Sequence, residues 1–178
     1  MKMKKKLFFC AWIFLFFSCS HVHAEPLGDG NHAFNKIPLA PLPNFPREFV
    51  ARGDRIEVHF RSHIERADTD AFPEPPVVMV NRVTEKRCAI EKGGIWARAE
   101  VYLSGDERVL LVNEFSDSGS DLVSYDTGDC RKIQRMDVSD MRWRIDGAVA
   151  CIGESRTGEG MAGCASIRPL DLRIFFRP

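Results

Sequence analysis

The chain has 178 residues, 44% of them hydrophobic, with 25 Lys and Arg set against 25 Asp and Glu. A balanced charge gives no basic excess of the kind a nucleic-acid surface needs. The apolar fraction is that of a folded domain, not of a disordered chain.

The first 24 residues, MKMKKKLFFCAWIFLFFSCSHVHA, place Lys2, Lys4, Lys5 and Lys6 ahead of an apolar run from Leu7 to Phe17. That run is too short to span a bilayer and has the layout of a secretory signal peptide. Ala24 closes the segment with Val22 two residues before it, so the exported chain is expected to start at Glu25 in the periplasm. Ser18-Cys19 offers a lipoprotein alternative, but Phe16 stands where a Leu is expected. Removing the leader leaves 21 basic and 25 acidic residues, a net charge of −4, on 154 residues with no second apolar span. One soluble domain, with no transmembrane segment and no nucleic-acid partner, is the expectation.

Pro26, Pro38, Pro41, Pro43 and Pro46 crowd the next stretch, which predicts an N-terminal arm over residues 25–54 with little regular structure. A single β domain is assigned to residues 55–178. Ile56, Val58 and Phe60 alternate with Glu57, His59 and Arg61, the period of a half-buried strand within Arg55 to Ile64. The Pro-rich, acidic connector ADTDAFPEPP follows.

Short apolar segments then recur at regular spacing: Val77 to Val83, Ile95 to Leu103, Val109 to Phe115, Leu122 to Tyr125, Arg131 to Val138, Met141 to Ile145, Val149 to Ile152 and Leu170 to Phe176. Gly93-Gly94, Ser104-Gly105-Asp106, Thr127-Gly128-Asp129 and Asp146-Gly147 punctuate them as turns. The pattern predicts an all-β fold of mostly antiparallel strands, a meander in a sandwich or propeller-blade-like stack. At most one or two short helices are expected, in the arm or near Ser139.

Within this rhythm VLLVNEFSDSGSDLVSYD, Val109 to Asp126, reads as two strands joined by six small, polar or acidic residues. Ser116, Asp117, Ser118, Gly119, Ser120 and Asp121 are therefore expected to form a projecting loop.

Loss of the leader takes Cys10 and Cys19 with it and leaves Cys88, Cys130, Cys151 and Cys164, which should form disulfides in an oxidising compartment. Four cysteines allow three pairings. Cys151 and Cys164 bracket the Gly-rich CIGESRTGEGMAGC, where a local staple makes physical sense, which leaves Cys88 for Cys130.

No set of catalytic residues stands out. His59 and His63 are four apart, a metal pair on a helix but over about 10 Å apart on the predicted strand, and no CxxC accompanies them. No GxSxG, SxxK, HExxH or phosphate-binding glycine loop occurs. The acids are scattered rather than paired, and Trp96 and Trp143 read as packing residues. No enzyme activity, metal or cofactor is expected.

Several blocks carry a family resemblance: DAFPEPP at Asp70 to Pro76, CAIEKGGIW at Cys88 to Trp96, VYLSGDERVL at Val101 to Leu110, EFSDSGSDLVSYD at Glu114 to Asp126, Cys130, Arg142-Trp143, and the GES between Cys151 and Cys164. From Asp70 to Ala165 this resembles the periplasmic immunity proteins that neutralise the first family of type VI secretion amidase effectors. The resemblance implies an antitoxin whose partner is a small papain-like Cys-His amidase that cuts peptidoglycan crosslinks between D-glutamate and diaminopimelate. It also implies that a serine-bearing loop enters the amidase cleft, a role that falls on Ser116, Ser118 and Ser120. Here Ser118 is followed by Gly119, where the family loop carries adjacent serines. An exported inhibitor of another cell-wall hydrolase, such as lysozyme, is the alternative.

Overall fold

A computed structural model describes residues 32–62, 75–117, 119–154 and 168–177. Among the described residues thirteen strands carry the fold: β1 (Phe34–Lys36), β2 (Leu39–Leu42), β3 (Phe45–Arg52), β4 (Ile56–Arg61), β5 (Val77–Asn81), β6 (Arg87–Ile90), β7 (Ile95–Ser104), β8 (Val109–Ser116), β9 (Gly119–Asp126), β10 (Lys132–Asp137), β11 (Met141–Asp146), β12 (Val149–Glu154) and β13 (Arg168–Pro169). A short 3-10 helix, Leu172–Phe176, follows β13. The fold is all-β, and every named strand pair is antiparallel. No helix among the described residues is long and apolar enough to cross a membrane.

The strands make three sheets, ordered β1-β7-β8-β9-β10, β2-β3-β4-β5-β6 and β11-β12-β13. The first lies between the other two, and this position explains the composition of β8. Leu110 and Val112 point into one core with Trp96, Val123 and Tyr125, against Phe49, Val58, Phe60 and Met79 of the second sheet. Val109 and Leu111 point the other way, into a core with Phe34, Tyr102, Leu122, Ile145, Ile152 and Phe175. A strand buried on both faces cannot alternate polar and apolar residues, so it reads VLLV.

Two expectations change. The Pro-rich arm holds three strands from Phe34 onward, and Phe49, Val50 and Ala51 of β3 are core residues. Pro41 is compatible with pairing because β2 is the outer strand of its sheet, where a missing N–H leaves no ladder bond unmade. At the C-terminus the expected strand over Leu170 to Phe176 is instead mostly the 3-10 helix. The Asp171 carboxylate accepts from the Arg173 N–H at 3.0 Å, and Leu172 and Phe175, three apart, both turn inward. Near Ser139 the chain makes a turn between β10 and β11. The short β6, hidden among charged neighbours, joins the second sheet through its pairing with β5.

Two devices tie the first and second sheets together. Cys88 on β6 and Cys130 after β9 form a disulfide, Cα–Cα 5.6 Å. Cys151 is disulfide-bonded as well, and Cys164 lies outside the described residues. The second device is Glu107, in the β7–β8 turn, whose carboxylate accepts from the backbone N–H groups of Asp54, Arg55 and Ile56 at 2.6, 2.8 and 2.8 Å. Gly53 leaves room for it: a Cβ there would sit 2.4 Å from Glu107 Oε1. Glu107→Ala passes two exposed N–H groups to water and leaves the part-buried Ile56 N–H without its acceptor, and is expected to lower unfolding free energy by about 1–2 kcal/mol, measured by urea denaturation. Glu107→Gln, which keeps an acceptor, should recover part of that loss.

Candidate functional site

The expected loop falls on the β8–β9 hairpin, which β7 accompanies as far as Phe115 and β10 as far as Asp121. Its ladder starts at Val109 opposite Asp126 and runs without a register break to Ser116 opposite Gly119. Only two positions separate that last pair: Asp117, an exposed turn residue, and Ser118, which lies outside the described residues. The six-residue loop expected from composition is thus a strand-supported tip. Phe115, Ser116 and Asp117 are exposed, and the Ser116 hydroxyl donates to the Gly119 carbonyl at 3.5 Å.

The remaining loop residues are held from below. Ser139, in the β10–β11 turn, presses on the hairpin so closely that a Cβ on Gly119 would fall 2.1 Å from its Oγ. That Oγ accepts from the Ser120 N–H at 3.1 Å and donates to Asp137 Oδ1 at 2.6 Å. The Val138 N–H donates to the Ser120 carbonyl at 2.8 Å. On one face of the sheet, Ser120 Oγ donates to Asn113 Oδ1 at 2.6 Å, and Asn113 Nδ2 donates to Glu100 Oε2 at 2.7 Å. A polar chain therefore crosses β9, β8 and β7 just below the tip.

The opposite face carries charge. Asp121 is buried and paired with the Arg135 guanidinium at 2.6 Å, so its charge is compensated inside the protein. Asp117 is the acid exposed at the tip. Deeper lies the buried carboxylate of Glu114, which accepts from Trp96 Nε1 at 3.2 Å and Tyr125 Oη at 2.5 Å, with Lys132 Nζ 3.9 Å away. Burial, followed by the hydrogen bond and charge of Glu114, pushes the Tyr125 phenol far above its ordinary range and keeps it a donor. Trp96 is fully enclosed between Phe60 and Tyr125, confirming it as a packing residue.

Ser116, Asp117, Gly119, Ser120 and Asp121 are thus brought together, but with different duties: the first two are presented, and the last three are anchored. The anchors themselves, Asn113, Ser139 and Arg135, do not stand out in the sequence, because each acts through a partner 7 to 19 positions away. His59 lies on β4 with its Nε2 3.1 Å from Glu57 Oε2, and His63 is outside the described residues. Trp143 packs its ring against Tyr102, centroids 6.2 Å apart.

Residues 32–175 match the family model described as immune protein Tsi1. The chain is also 38% identical over 143 residues to the immune protein Tsi1 of Pseudomonas aeruginosa strain PAO1, an alignment covering 80% of this chain and 83% of that protein. The match takes in all three sheets, the hairpin and its anchors, and on that ground the chain belongs to the Tsi1 immune-protein family and is an immunity protein.

Proposed function

We propose that this protein is a periplasmic antitoxin that seats the β8–β9 tip in the active-site cleft of a papain-like Cys-His peptidoglycan amidase delivered by type VI secretion. The observation that carries the reading is the exposed, serine-bearing tip on a ladder paired up to Ser116 and Gly119. A hydroxyl donates to or accepts from an imidazole or thiol, and the tip offers no D-glutamyl bond for the enzyme to cut. Bracing by Ser139 and Asn113 lowers the ordering cost that a loose loop would incur on binding. Asp117 gives the tip a negative charge suited to a basic cleft rim. In this reading the protein has no catalytic role of its own, and the signal peptide over residues 1–24 delivers it to the compartment where the toxin acts.

The decisive experiment mixes the purified protein with amidases of this effector family and follows peptidoglycan crosslink cleavage. Inhibition at equimolar protein is expected. Undiminished cleavage at excess protein, across several such amidases, would sink the reading, and inhibition of lysozyme alone would replace it with the other hydrolase. Ser118→Trp should weaken inhibition roughly 100-fold, about 3 kcal/mol, through a clash in the cleft, with the thermal midpoint unchanged. Unaltered inhibition by that variant would move the contact away from the tip.

A further inference from the structure

On the far side of the Asn113–Glu100 chain, between β1, β7 and β11, lies a concavity of about 530 Å³. Its size falls in the roughly 300–1,000 Å³ range of small-molecule sites. Tyr102 and Trp143 form its aromatic wall, meeting edge to face. Tyr102 is 5% exposed, yet its hydroxyl makes no hydrogen bond among the described residues. Among the described residues Ser124 Oγ is the fully buried side-chain polar atom without a partner, so the Tyr102 oxygen is reached from the concavity and can donate there. Burial, with the nearby carboxylates of Glu100 and Asp146, raises this phenol to about 12, so it stays protonated as a donor.

The charges around it are mixed. Lys36, opposite Tyr102 in the strand register, and Arg144 contribute positive charge; Glu100 and Asp146 contribute negative charge. Asp146 is paired with Arg144 at 3.0 Å, and Glu100 spends one oxygen on the neutral Asn113 amide. A simple anion meets the two carboxylates, and a simple cation meets Lys36 and Arg144. A polyhydroxylated ring meets no such conflict, because each of its hydroxyls both donates and accepts. Its apolar face suits the exposed part of the Trp143 wall. We infer that this concavity is a binding site for a neutral saccharide, separate from the hairpin.

The test is titration of the full exported chain with chitotriose and with maltotriose, followed by 1H–15N NMR. A saturable shift of the Trp143 indole and Asn35 backbone amide signals with either sugar is expected, with dissociation constants in the roughly millimolar range of single-ring contacts. Tyr102→Phe should weaken binding at least fivefold with an unchanged thermal midpoint, because the hydroxyl holds no protein partner. Lys36→Ala, exposed and on the same sheet face as Tyr102, should weaken it about threefold, and Ser118→Trp should leave it unchanged. No saturable shift up to about 50 mM sugar would overturn the inference. So would shifts confined to other residues, an equal response to diglycine, or unchanged binding by both Tyr102→Phe and Lys36→Ala.

Discussion

Replacing Cys88 and Cys130 together by alanine is expected to lower the unfolding free energy by about 4 kcal/mol. The bridge closes a loop with a sequence separation of 42, and in the chain-entropy model that constraint acts mainly on the unfolded chain. Its position makes the effect a matter of sheet association as well. Cys88 sits on β6, the outer strand of the second sheet, and Cys130 follows β9 of the first, so the bond clips together the two layers that enclose Trp96, Phe60 and Met79. Cys130 has φ 61°, a left-handed backbone that a residue with a Cβ adopts at a cost. A Cys88→Ala, Cys130→Gly pair should therefore unfold about 1 kcal/mol less easily than the double alanine. Against a total stability of about 5–15 kcal/mol, the double alanine protein should remain folded at 25 °C with a sharply lowered urea midpoint. A loss under about 1 kcal/mol would mean that side-chain packing and the Glu107 hydrogen bonds hold the two sheets without help from the bridge.

The same two layers show which features were legible in the sequence. The double-sided burial of β8 produces the run VLLV, so its strand character survives without any knowledge of neighbours. The single-sided β4 shows the complementary alternation of Ile56, Val58 and Phe60. The Cys88–Cys130 pairing followed from the Gly-rich spacing of the other two cysteines. The arm misled because proline weighs against a strand only where the ladder needs its N–H, and edge strands such as β2 do not. The C-terminal segment misled because Leu172, Ile174 and Phe176 suggest alternation, whereas Asp171 caps a turn that buries Leu172 and Phe175 instead. At the hairpin, Ser120 and Asp121 have the composition of a loop, and only long-range partners reveal them as strand residues. Composition could place the tip; it could not show what braces it.

Gly119→Ala should weaken effector inhibition by roughly 10- to 100-fold, since displacing the clamp removes one or two hydrogen bonds of about 1 kcal/mol each and misplaces the tip. The new methyl carbon would fall 2.1 Å from Ser139 Oγ and 3.1 Å from Ser139 Cβ, so either the hairpin or Ser139 must move. Ser139 cannot rotate away cheaply, because its hydroxyl is committed to both Asp137 and the Ser120 N–H. Ser139→Gly removes both offending atoms. By itself it should cost less than tenfold, since the Ser120 N–H at this exposed position finds water and the Val138 N–H still holds the Ser120 carbonyl. The combined Gly119→Ala, Ser139→Gly protein should then inhibit better than Gly119→Ala alone, a sign of coupling that separate, additive losses do not give. Inhibition constants for the four proteins complete the cycle, with thermal midpoints to confirm folding. If Gly119→Ala inhibits like the parent, bracing by the β10–β11 turn has no part in presenting the tip. If the double substitution is no better than Gly119→Ala, the glycine is needed for a reason other than its closeness to Ser139.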